Sequence, residues 1–382
     1  MNPSQARLPD SPTTPPLPPE SLRLRRIHRA ASELRRGLPV LLEGAAPLVL
    51  LAAETAGADG LAELALLAEA PPSLLLPPVR AAAVLHRPVE QGEAAIAAHL
   101  PPELLSPDPL RSLADPTAPP LKGRPQLEPA PVPALAAAAI ALLKIGRLLP
   151  TVLAAPARKD ALSRLTDRAL DSVAAEDVLA YPAAEVVSLR RIAAANVPLV
   201  DAPESRVVAF RAEGSGIEHL AIVIGEPETT DAPLVRLHSE CFTGDLLGSM
   251  RCDCGEQLRG ALRRMAEEGA GVLLYLAQEG RGIGLVNKLR AYALQDRGLD
   301  TLDANRVLGW GADERNFMIA ATMLQQLGLT RVRLLTNNPD KLTALQACGI
   351  AVVGREAHAF APNGVNDEYL ATKAARFGHL LD

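Results

Sequence analysis

The sequence predicts an α/β (α+β) fold in two units: a C-terminal domain that carries nearly all the chemistry-bearing motifs, preceded by an α/β N-terminal domain poorer in them. Three observations predict it. Helical and strand-like apolar periods alternate along most of the 382 residues. That length supports two sizeable cores. The polar motifs of the second half fall at the ends of strand-like runs, where α/β scaffolds place their ligands.

Taken in order, residues 1–20 hold seven prolines and no apolar period, so a disordered tail is expected there. A first domain is expected over 21–202. Ile27, Ala30, Ala31 and Leu34 recur at helical spacing, and Gly37 with Pro39 stops that helix. Residues 40–42 and 48–51 read as short buried strands around a turn at Glu43 and Gly44. The stretch 101–134 is crowded with proline and reads as mostly loop. An apolar helix is expected over 135–149, followed by a strand at 151–153. The second domain is expected over 203–358, with a C-terminal tail at 359–382. Strands are read at 207–210, 219–224, 234–238, 272–276 and 332–335. Leu258, Leu262 and Met265 mark one face of a helix. Val286, Leu289, Ala293 and Leu294 read as the inner stripe of the next, and Ile319, Met323 and Leu327 as that of a third. Trp310 and Cys348 read as packing residues.

Composition excludes several function classes. A net charge of −5 argues against general nucleic-acid binding, so an anionic ligand needs a local basic pocket. Apolar runs are broken by charge or proline well before the ~20 residues of a membrane span, and no membrane association is expected. The Pro-rich start has no basic segment leading into an apolar one, so no secretory signal is read and a cytoplasmic location is expected.

Three of the four cysteines fall within fourteen residues, as C-x10-C-x-C at Cys241, Cys252 and Cys254. Thiolates suit zinc, and three protein ligands leave a fourth position for water, whose pKa the metal lowers to about 7. Spacing alone leaves open a buried thiol cluster, or one disulfide with a spare cysteine. His238 lies close enough in sequence to suggest a fourth ligand, but a closed four-ligand site is structural, so water is preferred there. Gly280, Gly282 and Gly284 follow a strand and precede a helix, where backbone can approach a phosphate. Asp313 and Arg315 stand two apart and can converge only in a loop or turn.

These motifs run in order through Arg236, Leu237, His238, Ser239, Glu240 and Cys241, then the glycine loop after Gln278, then Tyr292, Asp313 to Arg315, and Thr336 to Lys341. Over residues 207–355 the sequence resembles GTP cyclohydrolase II, which opens riboflavin synthesis. The resemblance implies one zinc per chain on Cys241, Cys252 and Cys254. It implies GTP contacts from Arg236, Leu237, His238, Ser239, Glu240, Gln257, Glu279, Gly280, Arg281, Thr301, Thr336 and Lys341. Asp313 is cast as proton acceptor and Tyr292 as a hydroxyl near the base. Arg315 is cast as a nucleophile at the α-phosphate, or equally as a charge stabiliser, since its pKa above 12 makes nucleophilic arginine demanding. Magnesium is expected with the triphosphate, and a homodimer is the family's common state. The implied reaction converts GTP to 2,5-diamino-6-(5-phosphoribosylamino)pyrimidin-4(3H)-one, formate and pyrophosphate. Alternatives are a relative that stops at the formamidopyrimidine or serves another pathway, and a nucleotide-binding regulator without turnover. Residues 366–373 and 378–381 resemble the family's C-terminal tail.

The first domain is similar to 3,4-dihydroxy-2-butanone-4-phosphate synthase in residues 31–37 and 110–116. Magnesium chemistry on a sugar phosphate needs clustered carboxylates, however, and the loop 43–47 offers Glu43 alone. A degenerate, non-catalytic domain that scaffolds or dimerises is therefore expected.

Overall fold

The computed structural model describes residues 19–380, apart from 86–87, 90–93, 124–126, 168–170 and 379. The expected tail at 1–20 lies almost wholly outside the described residues. Two seven-stranded sheets organise the chain.

The first sheet contains β1 (Val40–Glu43), β2 (Leu48–Ala52), β3 (Ser73–Leu76), β4 (Ile96–His99), β5 (Glu128–Ala130), β6 (Val152–Pro156) and β7 (Ser172–Ala174), in the order β5-β4-β3-β6-β2-β1-β7. All its pairings are antiparallel except β1 with β7. The second contains β8 (Arg190–Asn196), β9 (Ser205–Arg211), β10 (Glu218–Ile224), β11 (Leu234–Ser239), β12 (Gly271–Leu276), β13 (Arg331–Leu335) and β14 (Ala351–Glu356), in the order β14-β13-β11-β12-β10-β9-β8. Its four strands from β14 to β12 run parallel, and antiparallel β10, β9 and β8 extend the other edge. Because β8 pairs with β9, the second sheet starts at Arg190, earlier than the expected boundary at 203.

Local chemistry explains most elements. The helix Pro19–Arg35 buries Leu24, Ile27, Ala30, Ala31 and Leu34, a stripe at helical spacing. The proline-rich stretch 101–134 is less loop-like than expected. Pro107 and Pro109 sit in the first turn of a helix, Pro107–Ala114, where a missing N–H costs nothing. The expected inner stripe of the helix Leu285–Gln295 is corrected: Val286 and Leu289 are exposed, while Asn287, Lys288, Ala291 and Leu294 face inward. Polar partners override the apolar pattern here. The Asn287 carboxamide donates to the carbonyls of Ile283 and Arg147, at 3.0 Å each, and Lys288 reaches a cysteine sulfur. No helix among the described residues is long and apolar enough to cross a membrane.

The two halves are not independent bodies. One core cluster joins Leu41, Val49, Leu51, Leu74 and Leu153 of the first half to Ile283, Ala291, Leu294, Ala304, Leu308 and Trp310 of the second. Arg290 crosses the same junction. Its Nε donates to Asp115 and its Nη2 to Glu54, both at 2.8 Å, with all three side chains largely buried. Lys144 pairs with Glu314, and the Arg147 guanidinium donates to the Ala277 carbonyl at 3.0 Å.

Removing one member of a buried ion group strands the others, so Arg290→Met should cost about 3 kcal/mol in urea unfolding. The triple change with Glu54→Gln and Asp115→Asn should cost less. A second dependence arises at His219, whose Nδ1 accepts from the Ala277 N–H at 3.1 Å. Burial, and then Arg147, pushes this imidazole down to about 4. The unfolded chain takes up that proton first, near pH 6.5. Stability should therefore be fully present above pH 6.5 and fall by up to about 1.4 kcal/mol per pH unit towards 4. His219→Gln should flatten that acid limb in unfolding midpoints measured across the same range.

Candidate active site and metal centre

The site lies beyond the C-terminal ends of parallel strands β11, β12 and β13. β11 delivers Arg236 and His238 and hands the chain to Ser239, Glu240 and Cys241. After Cys241 a wide i→i+5 turn, Phe242–Leu246, folds the chain back so that Cys252 and Cys254, the latter opening the helix Cys254–Glu268, meet it.

The three sulfurs lie within 4.8 Å of one another, and among the described residues they are the one such group of potential metal ligands. Cys241 and Cys252 Sγ are 3.7 Å apart. Sulfurs about 2.3 Å from a tetrahedral zinc sit roughly 3.8 Å apart, so the spacing suits a shared ion better than a disulfide. Gly244 makes the room: a Cβ there would stand 2.7 Å from Cys252 Sγ and 3.0 Å from Cys241 Sγ. Its N–H instead donates to Cys241 Sγ at 3.3 Å.

Thiolate character is concentrated on Cys241, while its hydrogen bonding to the other two pushes Cys252 up to about 11 and, with burial, Cys254 well above the ordinary thiol range. Hydrogen bonds from the Cys252 and Cys254 thiols, and then Lys288, hold Cys241 far below the ordinary thiol range. Lys288 Nζ lies 3.0 Å from Cys241 Sγ, 3.0 Å from Thr243 Oγ1 and 2.8 Å from Glu279 Oε1. Burial alone would discharge this ammonium, but the sulfur and the carboxylate raise it above its usual value. Asp245 fastens the turn by accepting from the Cys241 N–H, the Tyr275 hydroxyl and His238 Nε2, each within 3.1 Å. His238 Nε2 is thereby engaged by Asp245, and among the described residues the group of potential metal ligands within 4.8 Å of one another consists of the three cysteines.

Beside the sulfurs opens a cavity walled by most of the expected residues: Arg236, His238, Ser239, Glu240, Cys241, Cys252, Cys254, Gln257, Glu279, Gly280, Arg281, Tyr292, Thr301, Arg315, Thr336 and Lys341. Two expected residues stand behind that wall. Leu237 offers its carbonyl to Lys341 Nζ at 2.7 Å. Asp313 chelates Arg315, with Oδ1 2.8 Å from Nε, and Arg315 Nη1 reaches Ser239 Oγ at 3.3 Å. Against the effect of burial, Arg315 holds the Asp313 carboxyl below its ordinary range.

The glycine loop is wound left-handed, with φ of 63° at Gly280, 63° at Arg281 and 96° at Gly282. Arg281 in that region costs of order 1–3 kcal/mol, a strain found at ligand sites. The loop is pinned by Glu314 N–H donating to the Arg281 carbonyl at 3.0 Å, and a Cβ on Gly282 would stand 2.8 Å from the Glu314 carbonyl oxygen. The Glu279 carboxylate is used internally, accepting from the Phe242 N–H at 2.6 Å and the Gly280 N–H at 2.9 Å.

Charge is uneven here. Lys288 has Glu279, and Arg315 has Asp313, yet among the described residues Arg236, Arg281 and Lys341 pair with no carboxylate. Burial, then Arg236 and Arg315, pushes Lys341 well below its usual value, and burial pushes Arg236 down to about 10. Among the described residues, Arg236 Nε and Arg281 Nη1 have no hydrogen-bond partner. A buried set of uncompensated donors of this kind calls for an anion. Sequence reasoning missed Lys288 and Asp245, which resemble any helix lysine or turn aspartate until the fold places them, and also Tyr369 and Lys373 on the cavity wall.

Fold and site together define a mixed α/β protein in which a candidate metal centre of three cysteine sulfurs opens on a cation-lined cavity. Comparison with known proteins makes this specific. The profile of GTP cyclohydrolase II matches residues 190–357. The chain is 45% identical over 376 residues to the GTP cyclohydrolase-2 of Azospirillum brasilense, covering 96% of both. It is 50% identical over 197 residues to that of Pasteurella multocida, covering 51% of this chain and 90% of the relative. Among solved structures, a two-domain 3,4-dihydroxy-2-butanone 4-phosphate synthase from A. baumannii aligns over 88% of this chain and 100% of that one, at 16% identity and a TM-score of 0.33. The chain belongs to the GTP cyclohydrolase II family.

Gly244→Ala should push the sulfurs apart and weaken metal binding, read as zinc retained per chain after loading and dialysis. Gly216→Ala, which meets nothing within 4 Å, should retain it.

Proposed function

We propose that this chain hydrolyses GTP to 2,5-diamino-6-(5-phosphoribosylamino)pyrimidin-4(3H)-one, formate and pyrophosphate, the first step of riboflavin synthesis. The observation that carries the reading is the juxtaposition of three converged sulfurs with a cavity holding Arg236, Arg281 and Lys341 free of carboxylate partners. One end suits water attack on a ring carbon; the other suits a triphosphate.

Cys241, Cys252 and Cys254 hold the zinc, which when bound supplies Lewis acidity and activates water near neutral pH. Lys288 offsets the negative charge of the thiolate set, and Asp245 keeps Cys241 in place. Gln257, positioned by Asp253 and Arg236, faces the purine. Arg281 and the 280–282 backbone, with Lys341 and Arg236, hold the phosphates, with magnesium accompanying them. Arg315 lies where it can carry charge developing at the α-phosphate as pyrophosphate leaves. Its bidentate hold on Asp313 favours electrostatic stabilisation over nucleophilic attack, since a guanidinium so paired stays protonated. Asp313, ionised beside it, orients that guanidinium, and its role as proton acceptor is carried by the family resemblance. Tyr292, on the cavity wall, presents its hydroxyl towards the purine end.

The N-terminal domain is non-catalytic and braces the second half. Supporting this, no second group of metal-ligating side chains occurs among the described residues, and the Pasteurella relative spans only about half of this chain. Exposed Phe242, Leu246, Leu247 and Met250 on the turn after Cys241 favour pairing of two chains. Three clustered cysteines without a disulfide among them suit the cytoplasm.

Formate release from GTP, measured alongside zinc content, tests the proposal. The intact chain should release one formate and one pyrophosphate per GTP, and chelation should stop both. Cys252→Ser should lose zinc and formate release together, whereas Arg315→Met should keep zinc and lose at least about a hundredfold in kcat. A zinc-loaded chain that yields no formate from GTP would overturn the assignment.

A further inference from the structure

The segment after β14 is tied to elements that carry the site. His358 Nε2 meets the Gln257 carbonyl at 2.7 Å, and Asn363 Nδ2 donates to the Met250 carbonyl at 3.1 Å. The helix Asp367–Phe377 then lies over the site, and the Leu380 N–H donates to the Asn337 carbonyl at 2.9 Å. That helix touches three separate elements of the site. Lys373 Nζ lies 2.6 Å from Oδ1 of Asp253, between the two later cysteines, with both side chains buried. Phe377 stacks under the Arg281 guanidinium, 3.6 Å from its ring centroid. Arg376 pairs with Asp300, the cap of the helix that carries Thr301.

Such contacts suit a wall better than a tail packed for stability alone. Asp253 is shared: its other oxygen accepts from Gln257, whose own oxygen accepts from Arg236. One carboxylate thus faces two cations, and a positive charge is left over beside the cavity. Among the described residues the Lys373 ammonium, with three protons, has one hydrogen-bond partner and lies over the Tyr369 ring, 4.5 Å from its centroid, and both residues line the cavity. Resting on the GTP reading above, we propose that the helix Asp367–Phe377 forms a wall of the nucleotide site and that Lys373 binds the substrate's phosphates.

Lys373→Met alone would strand a buried Asp253, so the decisive comparison is Asp253→Asn against Asp253→Asn/Lys373→Met. It is made on zinc-loaded chain, with titration of GTP and of guanosine by calorimetry. The double variant should bind GTP about tenfold or more weakly than Asp253→Asn, while guanosine affinity stays equal. Lys373→Arg should retain GTP affinity, and Ala375→Ser on the outer face should change nothing. Equal GTP affinities in the two backgrounds would overturn the phosphate role and leave Lys373 as a counter-ion of Asp253. Ending the chain at residue 362 should raise KM for GTP at unchanged zinc content, and an unchanged KM and kcat would overturn the wall itself. Formate release by the wild-type chain reads the GTP assignment separately, so the two failures are distinguishable.

Discussion

The site depends first on bringing three sulfurs close together inside a protein and offsetting the charge they carry as thiolates. Thiolates a few ångströms apart repel, and burial sharpens the repulsion. The structure answers with Lys288 Nζ 3.0 Å from Cys241 Sγ and with the missing Cβ of Gly244. Asp245 adds a third support by fixing the turn that presents Cys241. Each is an ordinary residue whose role comes from where the backbone places it. The Lys288–Glu279 pair carries the constraint onward, because Glu279 also fixes the Phe242 N–H and the start of the glycine loop. The cysteine trio and the glycine loop are therefore one hydrogen-bonded unit.

That unit is braced from outside its own sheet. The helix Leu285–Gln295 bears Lys288 inward and Arg290 towards Glu54 and Asp115 of the first half. Its apolar residues Ala291 and Leu294 enter a core shared with β1, β2, β3 and β6. Arg147, itself left-handed at φ 55°, touches Gly284, Asn287 and Ala277, so the first half grips both ends of the glycine loop. The first half is thereby packed directly against the elements that position the site.

Much was legible beforehand. The strands of the second sheet follow from runs such as Leu273, Leu274 and Leu276, and the cysteine spacing pointed to a metal before any geometry was known. Other features were not legible, for identifiable reasons. Val286 and Leu289 fit an apolar helical stripe, yet they are exposed because the opposite face must bring Lys288 to the sulfurs. The stretch 101–134 reads as loop by its prolines, though proline in a helix's first turn is no obstacle. β8 carries little apolar signal because all seven of its residues are exposed on a sheet edge.

By itself the amino-acid order determined the alternation of helix and strand, the thiolate trio and the glycine loop. All are short-range patterns, set by backbone preference and by spacing of a few residues. Only the tertiary structure decided that Asp313 stands behind Arg315, that Lys288 and Asp245 serve the sulfurs, and that the C-terminal helix covers the cavity. It alone revealed that the two halves share a core. Those are contacts between residues tens to hundreds of positions apart, such as Arg290 with Glu54. Their energies arise from burial and charge pairing that no local window of sequence contains.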